Sequence, residues 1–232
     1  MIPMRRFATP IALALLVGAA PAAAQEIPSP YRFIEYGQDL GTFASRIGTD
    51  RGTMNLGPEG GLAFGLQYSF RINDPMALSA RATYFATERA IVDTFTTADG
   101  ELTTRSEGSA PLDLLLVTAR LQLTLTGART WHGIAPHVFV GAGLAVATSE
   151  ADEPVTVGVD NRYSFGHAFM GQLGFGASIF LAGRWSLRLS VLDDLWQIDA
   201  PRGLQDVNLT PTAPDREWTH NLEISAGLHH HF

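Results

Sequence analysis

Three consecutive histidines near the C-terminus are the residues of this chain that most directly suggest chemistry, because imidazole nitrogens are common metal ligands. His229, His230 and His231 continue a run in which apolar side chains alternate with small or polar ones, a pattern typical of a strand. Neighbouring side chains of a strand point to opposite faces, so only His229 and His231 share a side. We therefore expect a solvated rim of imidazoles at the end of this strand and no bound metal.

A pair of glycines suggests a second kind of site. Gly141 and Gly143 in VFVGAGLAVA follow a strand, as the glycines of a dinucleotide-binding turn do, but such a turn must open a helix. The alternation instead continues through Leu144 and Val146. We expect the glycines to relieve crowding inside a sheet, and no cofactor is predicted.

Acidic residues between positions 149 and 162 could offer oxygen ligands to a divalent cation. They are Glu150, Asp152, Glu153 and Asp160. Their spacing lacks the regular ligand pattern of a calcium-binding loop. A solvated acidic loop is the better interpretation.

Alternation of side chains is the main structural signal along the chain. In GLAFGLQYSFRI, residues 61–72, large apolar side chains occupy the even positions and small or polar ones the odd positions. Strict alternation over this length predicts a strand with two different faces. Six later segments alternate in the same way, at 76–90, 112–127, 132–148, 164–181, 184–196 and 217–232. An eighth segment, 34–46, alternates poorly, and the facing of its side chains is left unassigned.

The links between these segments alternate in length. Long links at 47–59, 91–110, 149–163 and 197–216 alternate with short ones at 73–75, 127–131 and 182–183. Short periplasmic turns and long extracellular loops are the signature of an up-and-down membrane barrel. The fold predicted is therefore all-β, an antiparallel eight-stranded transmembrane β-barrel.

The N-terminal residues predict export. Arg5 and Arg6 precede an apolar run from Ile11 to Ala20 and then Ala22-Ala23-Ala24, which is the order of a secretory signal peptide. Residues 1–24 are the predicted signal peptide, and residues 25–232 form the predicted barrel. The chain contains no cysteine, so disulfides do not hold this fold.

Charge is distributed unevenly in the predicted barrel. The regions 47–60, 91–110, 149–162 and 197–217 carry net charges of −1, −3, −3 and −2, which total −9. The whole chain carries −7, and removing Arg5 and Arg6 also leaves −9. The excess acid therefore lies in the predicted extracellular loops, and such a charge does not favour nucleic acid.

The polar residues on the predicted inner face form a second candidate site. An eight-stranded barrel is only wide enough to be filled by its own side chains. We predict a packed polar network made of Arg71, Arg81, Arg120, Arg188 and Glu223, accompanied by Gln67, Gln122, Gln172 and His137. Arg188 and Glu223 lie on neighbouring strands and are predicted to pair. The aromatic residues Trp131, Trp185, Trp196, Trp218 and Tyr163 are predicted to form girdles at the two membrane interfaces.

The chain resembles the eight-stranded outer-membrane barrels of the OmpA, OmpX and OmpW type. The resemblance rests on the architecture and on the last strand, LEISAGLHHHF, which alternates and ends in Phe. It implies that Leu228 and Phe232 act as a signal read by the barrel-assembly machinery, that outer-membrane lipid and lipopolysaccharide surround the barrel, and that the source is a Gram-negative-type bacterium. His230 departs from the apolar or Tyr residue expected at its position.

Three functional classes remain open at this stage. The first is a barrel with a filled lumen and a structural or surface-binding role through its acidic loops, whose extracellular ligand the sequence does not identify. The second is a small channel of the OmpW type for small or apolar solutes. The third is a lipid-modifying enzyme, for which His167 and His220 lie on the outward face near the loops. The strand pattern places neither a serine nor a carboxylate beside them, so no catalytic residue is predicted.

Overall fold

The computed structural model describes residues 29–151, 157–181, 183–206, 208–209, 212 and 214–232. The predicted signal peptide, 1–24, lies outside these residues. No described helix has the length and apolar character needed to cross a membrane. The described strands are β1 (Tyr31–Phe33), β2 (Gln38–Thr49), β3 (Gly61–Arg71), β4 (Met76–Thr96), β5 (Leu102–Thr124), β6 (Arg129–Trp131), β7 (Ile134–Glu150), β8 (His167–Phe180), β9 (Trp185–Asp199) and β10 (Arg216–His231). Two short 3-10 helices lie in loops, at Val159–Asn161 and Arg202–Gln205.

Eight long antiparallel strands close into a ring in the order β2, β3, β4, β5, β7, β8, β9 and β10. Pairing of β10 with β2 closes the ring, with Ile224 opposite Arg46. Closure satisfies the backbone groups that an open sheet edge would leave unpaired in hydrocarbon, each at a cost of several kcal/mol. The predicted eight-stranded barrel is confirmed.

Alternating burial divides each strand between lipid and lumen. In β3, Leu62, Phe64 and Leu66 are exposed on the outer wall, whereas Ala63 and Gln67 are buried inside. The facing predicted for this strand is therefore confirmed.

The first barrel strand, β2, is shifted from its predicted span of 34–46. It runs over Gln38–Thr49 and alternates as strictly as the others, with buried Asp39, Phe43 and Ile47 on its inner face. Small and polar residues on both faces, such as Gly41, Thr42 and Ser45, weaken the hydropathy signal of this strand. For that reason, the sequence pattern does not show which side chains of β2 point into the lumen.

The extracellular link 91–110 differs most from its prediction. β4 continues to Thr96 and β5 begins at Leu102, so the two strands form a hairpin that extends past the neighbouring strands. A register shift between Ile91 and Val92 marks a bulge in this pair. The remaining turn is short. The hairpin contacts the loop between β7 and β8, since Asn161 Nδ2 donates to Asp93 Oδ1 at 2.6 Å.

Candidate functional site

An ion pair lies at the centre of the lumen. The Arg81 guanidinium on β4 contacts the Glu223 carboxylate on β10 through both terminal nitrogens, and the two side chains are 1% and 0% exposed. Arg81 Cζ also lies 3.7 Å from the centroid of the Phe43 ring. A charged pair this deeply buried is held by contacts across the lumen between strands that are not neighbours in the ring.

The predicted pair between Arg188 and Glu223 is wrong. Both side chains face the lumen, but the register places Arg188 opposite Gly227, and Glu223 opposite Leu192. The two residues are therefore offset by four positions along the strands, or about 13 Å at the usual rise per residue. Arg188 instead pairs with Asp39 of β2, with 3.2 Å between Nη2 and Oδ2.

Asp39 organises the polar cluster at the periplasmic end of the lumen. Its Oδ1 lies 2.7 Å from His229 Nδ1 and 3.2 Å from Ser69 Oγ, which donates to it. His231 Nε2 lies 2.8 Å from the hydroxyl oxygen of Ser186. His229 and His231 are buried, so the predicted solvated rim is wrong for both. Their strand face points into the narrow lumen, where the imidazoles fill space between charged groups.

The remaining predicted lumen residues also lie inside the barrel or at its periplasmic mouth. Arg120 Nε donates to Gln172 Oε1 at 2.6 Å, and Gln172 Nε2 donates to the carboxylate of Asp194. Arg71 is half-buried at the periplasmic mouth, where Nη2 donates to the carbonyl oxygens of Ile34 and Tyr36 at 3.0 and 2.7 Å. Gln67, Gln122 and His137 are all buried inside the barrel.

Asp39 and Asp194 belong to the polar network of the lumen but were not predicted from the sequence. Asp39 lies on the strand whose facing was unassigned. Asp194 follows Arg188 and Ser190 on the inner face of β9, and extending the alternation past Val191 would have placed it in the lumen. Its neighbour Asp193 points outward, so the pair of acids divides between the two faces.

The segment before β2 crosses the periplasmic mouth. β1 pairs with β6, which belongs to the turn between β5 and β7 on the far side of the ring from β2. Ile34 N donates to Ala128 O at 2.8 Å, and His132 N donates to Pro30 O at 2.9 Å. Together with the Arg71 contacts, these bonds hold residues 30–36 beneath the polar cluster.

The extracellular half of the lumen holds an apolar cluster. Phe85, Leu114, Met170 and Trp196 come from the strands and are fully or almost fully buried. Loop side chains pack into the same cluster, among them Met54, Leu56, Leu204 and Leu209. The predicted polar lumen therefore describes the periplasmic half and the middle, whereas an apolar cluster of strand and loop side chains occupies much of the extracellular end.

Two of the predicted girdle aromatics belong to this apolar cluster. Trp196 is 0% exposed and Tyr163 is 5% exposed, so their prediction as interfacial residues is wrong. Trp196 sits on the inner face of β9, and Tyr163 lies in a loop that folds inward. Trp131, Trp185 and Trp218 are exposed, as predicted.

A buried ion pair fastens the β7–β8 loop to the barrel. Arg89 Nε lies 3.0 Å from Glu150 Oε1, and Glu150 also accepts from Ser164 Oγ at 2.9 Å and Phe165 N at 3.0 Å. Burial, with the Glu150 carboxylate nearby, raises the pKa of the Tyr163 hydroxyl. Asp160 of the acidic loop is exposed, and Asp152 and Glu153 lie outside the described residues. Within the described part of the chain, no three His, Asp or Glu side chains are arranged to hold a metal ion.

A histidine–carboxylate pair lies on the outer wall. His220 Nδ1 lies 2.7 Å from Asp193 Oδ2, which corrects the expectation that no carboxylate adjoins either outward histidine. The pair is diagonal across β9 and β10, because Asp193 is opposite Leu222 in the register. His167 is also exposed on the outer wall, at the first residue of β8.

A closed antiparallel ring with an apolar outer wall is the architecture of a transmembrane β-barrel. The family model described as "Outer membrane protein beta-barrel domain" matches residues 11–227. The chain belongs to this outer-membrane β-barrel family. Its location in the outer membrane of a Gram-negative bacterium follows from that membership.

Solved structures of other outer-membrane barrels are similar to this chain at low sequence identity. Neisserial surface protein A is 13% identical, with a TM-score of 0.52 over 84% of this chain and 97% of that one. OprG from Pseudomonas aeruginosa is 15% identical, with a TM-score of 0.48 over 85% and 96% of the two chains. E. coli outer membrane protein W is 13% identical, with a TM-score of 0.47 over 86% and 100%. No curated protein matches the chain.

Proposed function

We propose that this outer-membrane barrel is a non-conducting, non-enzymatic scaffold whose acidic extracellular face binds a partner at the cell surface. The observation that carries the proposal is the filling of the lumen at three levels. Residues 30–36 lie across the periplasmic mouth, the Arg81–Glu223 pair lies in the middle, and loop leucines pack into the extracellular end. Because side chains fill the lumen at each of these levels, the extracellular loops are the surface through which we propose that the barrel acts.

The negative charge of the extracellular loops favours a partner with a basic surface. Asp50, Asp99, Glu101, Asp160 and Asp206 are exposed at the extracellular end. Several arginines at this end are already paired, since Arg51 contacts Glu59 and Arg105 contacts Glu107. Loops held by a rigid scaffold commonly carry recognition. A partner with a cationic surface suits this face, and its association should weaken as salt rises.

Assembly into the membrane is a separate part of the proposal. Leu228 and Phe232 are exposed on the outer wall at the periplasmic end of β10. We propose that these two residues form the signal read by the barrel-assembly machinery. His230 differs from the apolar or Tyr residue expected at its position. Its ring contacts Trp185 edge-on, with 4.9 Å between ring centroids.

The first test separates the scaffold from its two alternatives. Protein refolded into planar bilayers should show no stable single-channel steps, because side chains fill the lumen. The same preparation should release no fatty acid from labelled outer-membrane lipid. Trimming residues 98–101, which lie at the exposed hairpin tip, is the matched control and should change neither readout. Stable conductance steps in the intact protein would establish the channel instead.

The enzyme alternative has one observation in its favour, the His220–Asp193 pair on the lipid-facing wall. A histidine oriented by a carboxylate can serve as a general base for a nucleophile. Lipid turnover by the intact barrel that disappears in His220→Gln, but persists in His167→Gln, would establish this alternative and contradict the proposal.

The second test concerns the acidic face. An arginine-rich peptide should bind to vesicles carrying the folded barrel, and binding should fall as sodium chloride rises from low to high concentration. Replacing Asp99 and Glu101 by Asn and Gln should weaken binding, whereas replacing Asp74 in the opposite, periplasmic turn by Asn should not. Peptide binding that is indifferent to both salt and the loop substitutions would contradict this assignment.

A further inference from the structure

An apolar groove crosses the outer wall of the barrel over β8, β9, β10, β2 and β3. Its volume is about 580 Å³. Ala44 and Ala226 are opposite each other in the register and form a low floor between larger neighbours. The larger apolar side chains along the groove are Leu62, Phe175, Leu189 and Ile224, all of which are exposed. The volume lies within the roughly 300–1,000 Å³ typical of ligand pockets.

Arg46 is the charged residue that lines this groove. It faces outward on β2, three positions before the strand ends at Thr49 on the extracellular side. Its register partners are Ile224 on one side and Leu62 on the other, both apolar. Arg46 therefore lies at the extracellular end of an otherwise apolar surface.

Arg46 differs from two other outward-facing arginines, Arg105 and Arg216, in having no carboxylate partner in the part of the chain that the structure describes. The chain contains no lysine, so arginine supplies all of its strongly basic side chains. Arg105 and Arg216 face outward and pair with Glu107 and Asp199. Within the described residues, Arg46 has no carboxylate within ion-pair distance, whereas both of those arginines do.

An outward arginine without a carboxylate partner can bind an anion from its surroundings. Arginine on the lipid-facing wall of a barrel destabilises it by about 2–4 kcal/mol at the midplane and by much less near the headgroups. Near the extracellular end, the guanidinium can reach the phosphates of outer-leaflet lipid, which its planar fork binds through two hydrogen bonds. The apolar groove below Arg46 offers a surface for the acyl chain attached to such a headgroup.

We propose that this groove binds a phosphorylated glycolipid of the outer leaflet, with one acyl chain lying over Ala44 and Ala226 and a headgroup phosphate bound by Arg46. The site is distinct from the acidic loop face and does not depend on it. Its occupant approaches within the membrane, so a soluble partner does not compete for it.

The test measures lipid binding to the folded barrel in detergent by native mass spectrometry. The probe is diphosphorylated, hexa-acylated lipid A, with the same lipid after phosphate removal as the second ligand. Arg46→Gln should weaken binding of the phosphorylated lipid by about tenfold or more, the effect of losing one charge-assisted contact. Arg216→Gln, on the same wall but paired with Asp199, is the matched control and should bind as wild type does.

The groove is tested by a second substitution. Ala226→Phe fills the floor and should weaken binding of both lipids, while Arg46→Gln should leave binding of the dephosphorylated lipid unchanged. Heat-modifiable gel mobility confirms that each variant is folded. Equal affinity of wild type and Arg46→Gln for the phosphorylated lipid would overturn the proposal. Equal affinity of the wild type for both lipids would overturn it as well.

Discussion

Glu223→Ala is expected to lower the free energy of unfolding by about 3–5 kcal/mol, the usual cost of removing one partner of a buried ion pair. The substitution leaves the Arg81 guanidinium, which is 1% exposed, without the carboxylate that it contacts. Water replaces the lost carboxylate poorly in a lumen that side chains fill. Urea unfolding of the protein refolded in phospholipid vesicles, followed by tryptophan fluorescence, measures the change.

A double-mutant cycle with Arg81→Met and Glu223→Gln isolates the pair from other effects of each substitution. We expect a coupling energy well above that of the exposed pair between Arg216 and Asp199, whose side chains are 69% and 70% exposed. Exposed pairs typically contribute about 0–1 kcal/mol. Coupling in the lumen no larger than coupling on the surface would show that Arg81 and Glu223 do not depend on each other.

Trp196→Ala should have an effect of similar size, about 3–5 kcal/mol, because it opens a cavity in the apolar cluster of the lumen. Trp196 is fully buried and meets Phe165 edge-on, with 6.4 Å between ring centroids. Its Nε1 has no hydrogen-bond partner among the described residues. The loss is therefore one of packing, and the same unfolding measurement in vesicles detects it.

Trp218→Ala is the matched control, since Trp218 is 51% exposed at the same end of the barrel. Removing an interfacial ring changes contact with lipid but opens no cavity in the lumen. We expect a clearly smaller loss of stability for this variant. If the two variants lost equal stability, the apolar cluster would not contribute to the fold as its burial implies.

The sequence by itself determined the architecture. Side-chain direction in a strand repeats every two residues, so the alternation of Leu62, Phe64 and Leu66 with small or polar neighbours is readable without any knowledge of other strands. The alternation of long and short links then identified the two ends of the barrel. Both signals are local along the chain, and this is why the strand set, the facing of β3 and the inward positions of Arg81, Arg188 and Glu223 were predictable.

Only the tertiary structure decided which inward residues meet. Partner choice in the lumen depends on the stagger of the strands around the closed ring, and on contacts across it, neither of which the sequence pattern contains. Arg188 therefore pairs with Asp39, and Glu223 with Arg81. The inward folding of Leu204 and Leu209 also depends on tertiary packing, because a loop has no side-chain period to reveal its facing. The apolar cluster at the extracellular end of the lumen and the position of residues 30–36 across its periplasmic mouth follow from such non-local contacts.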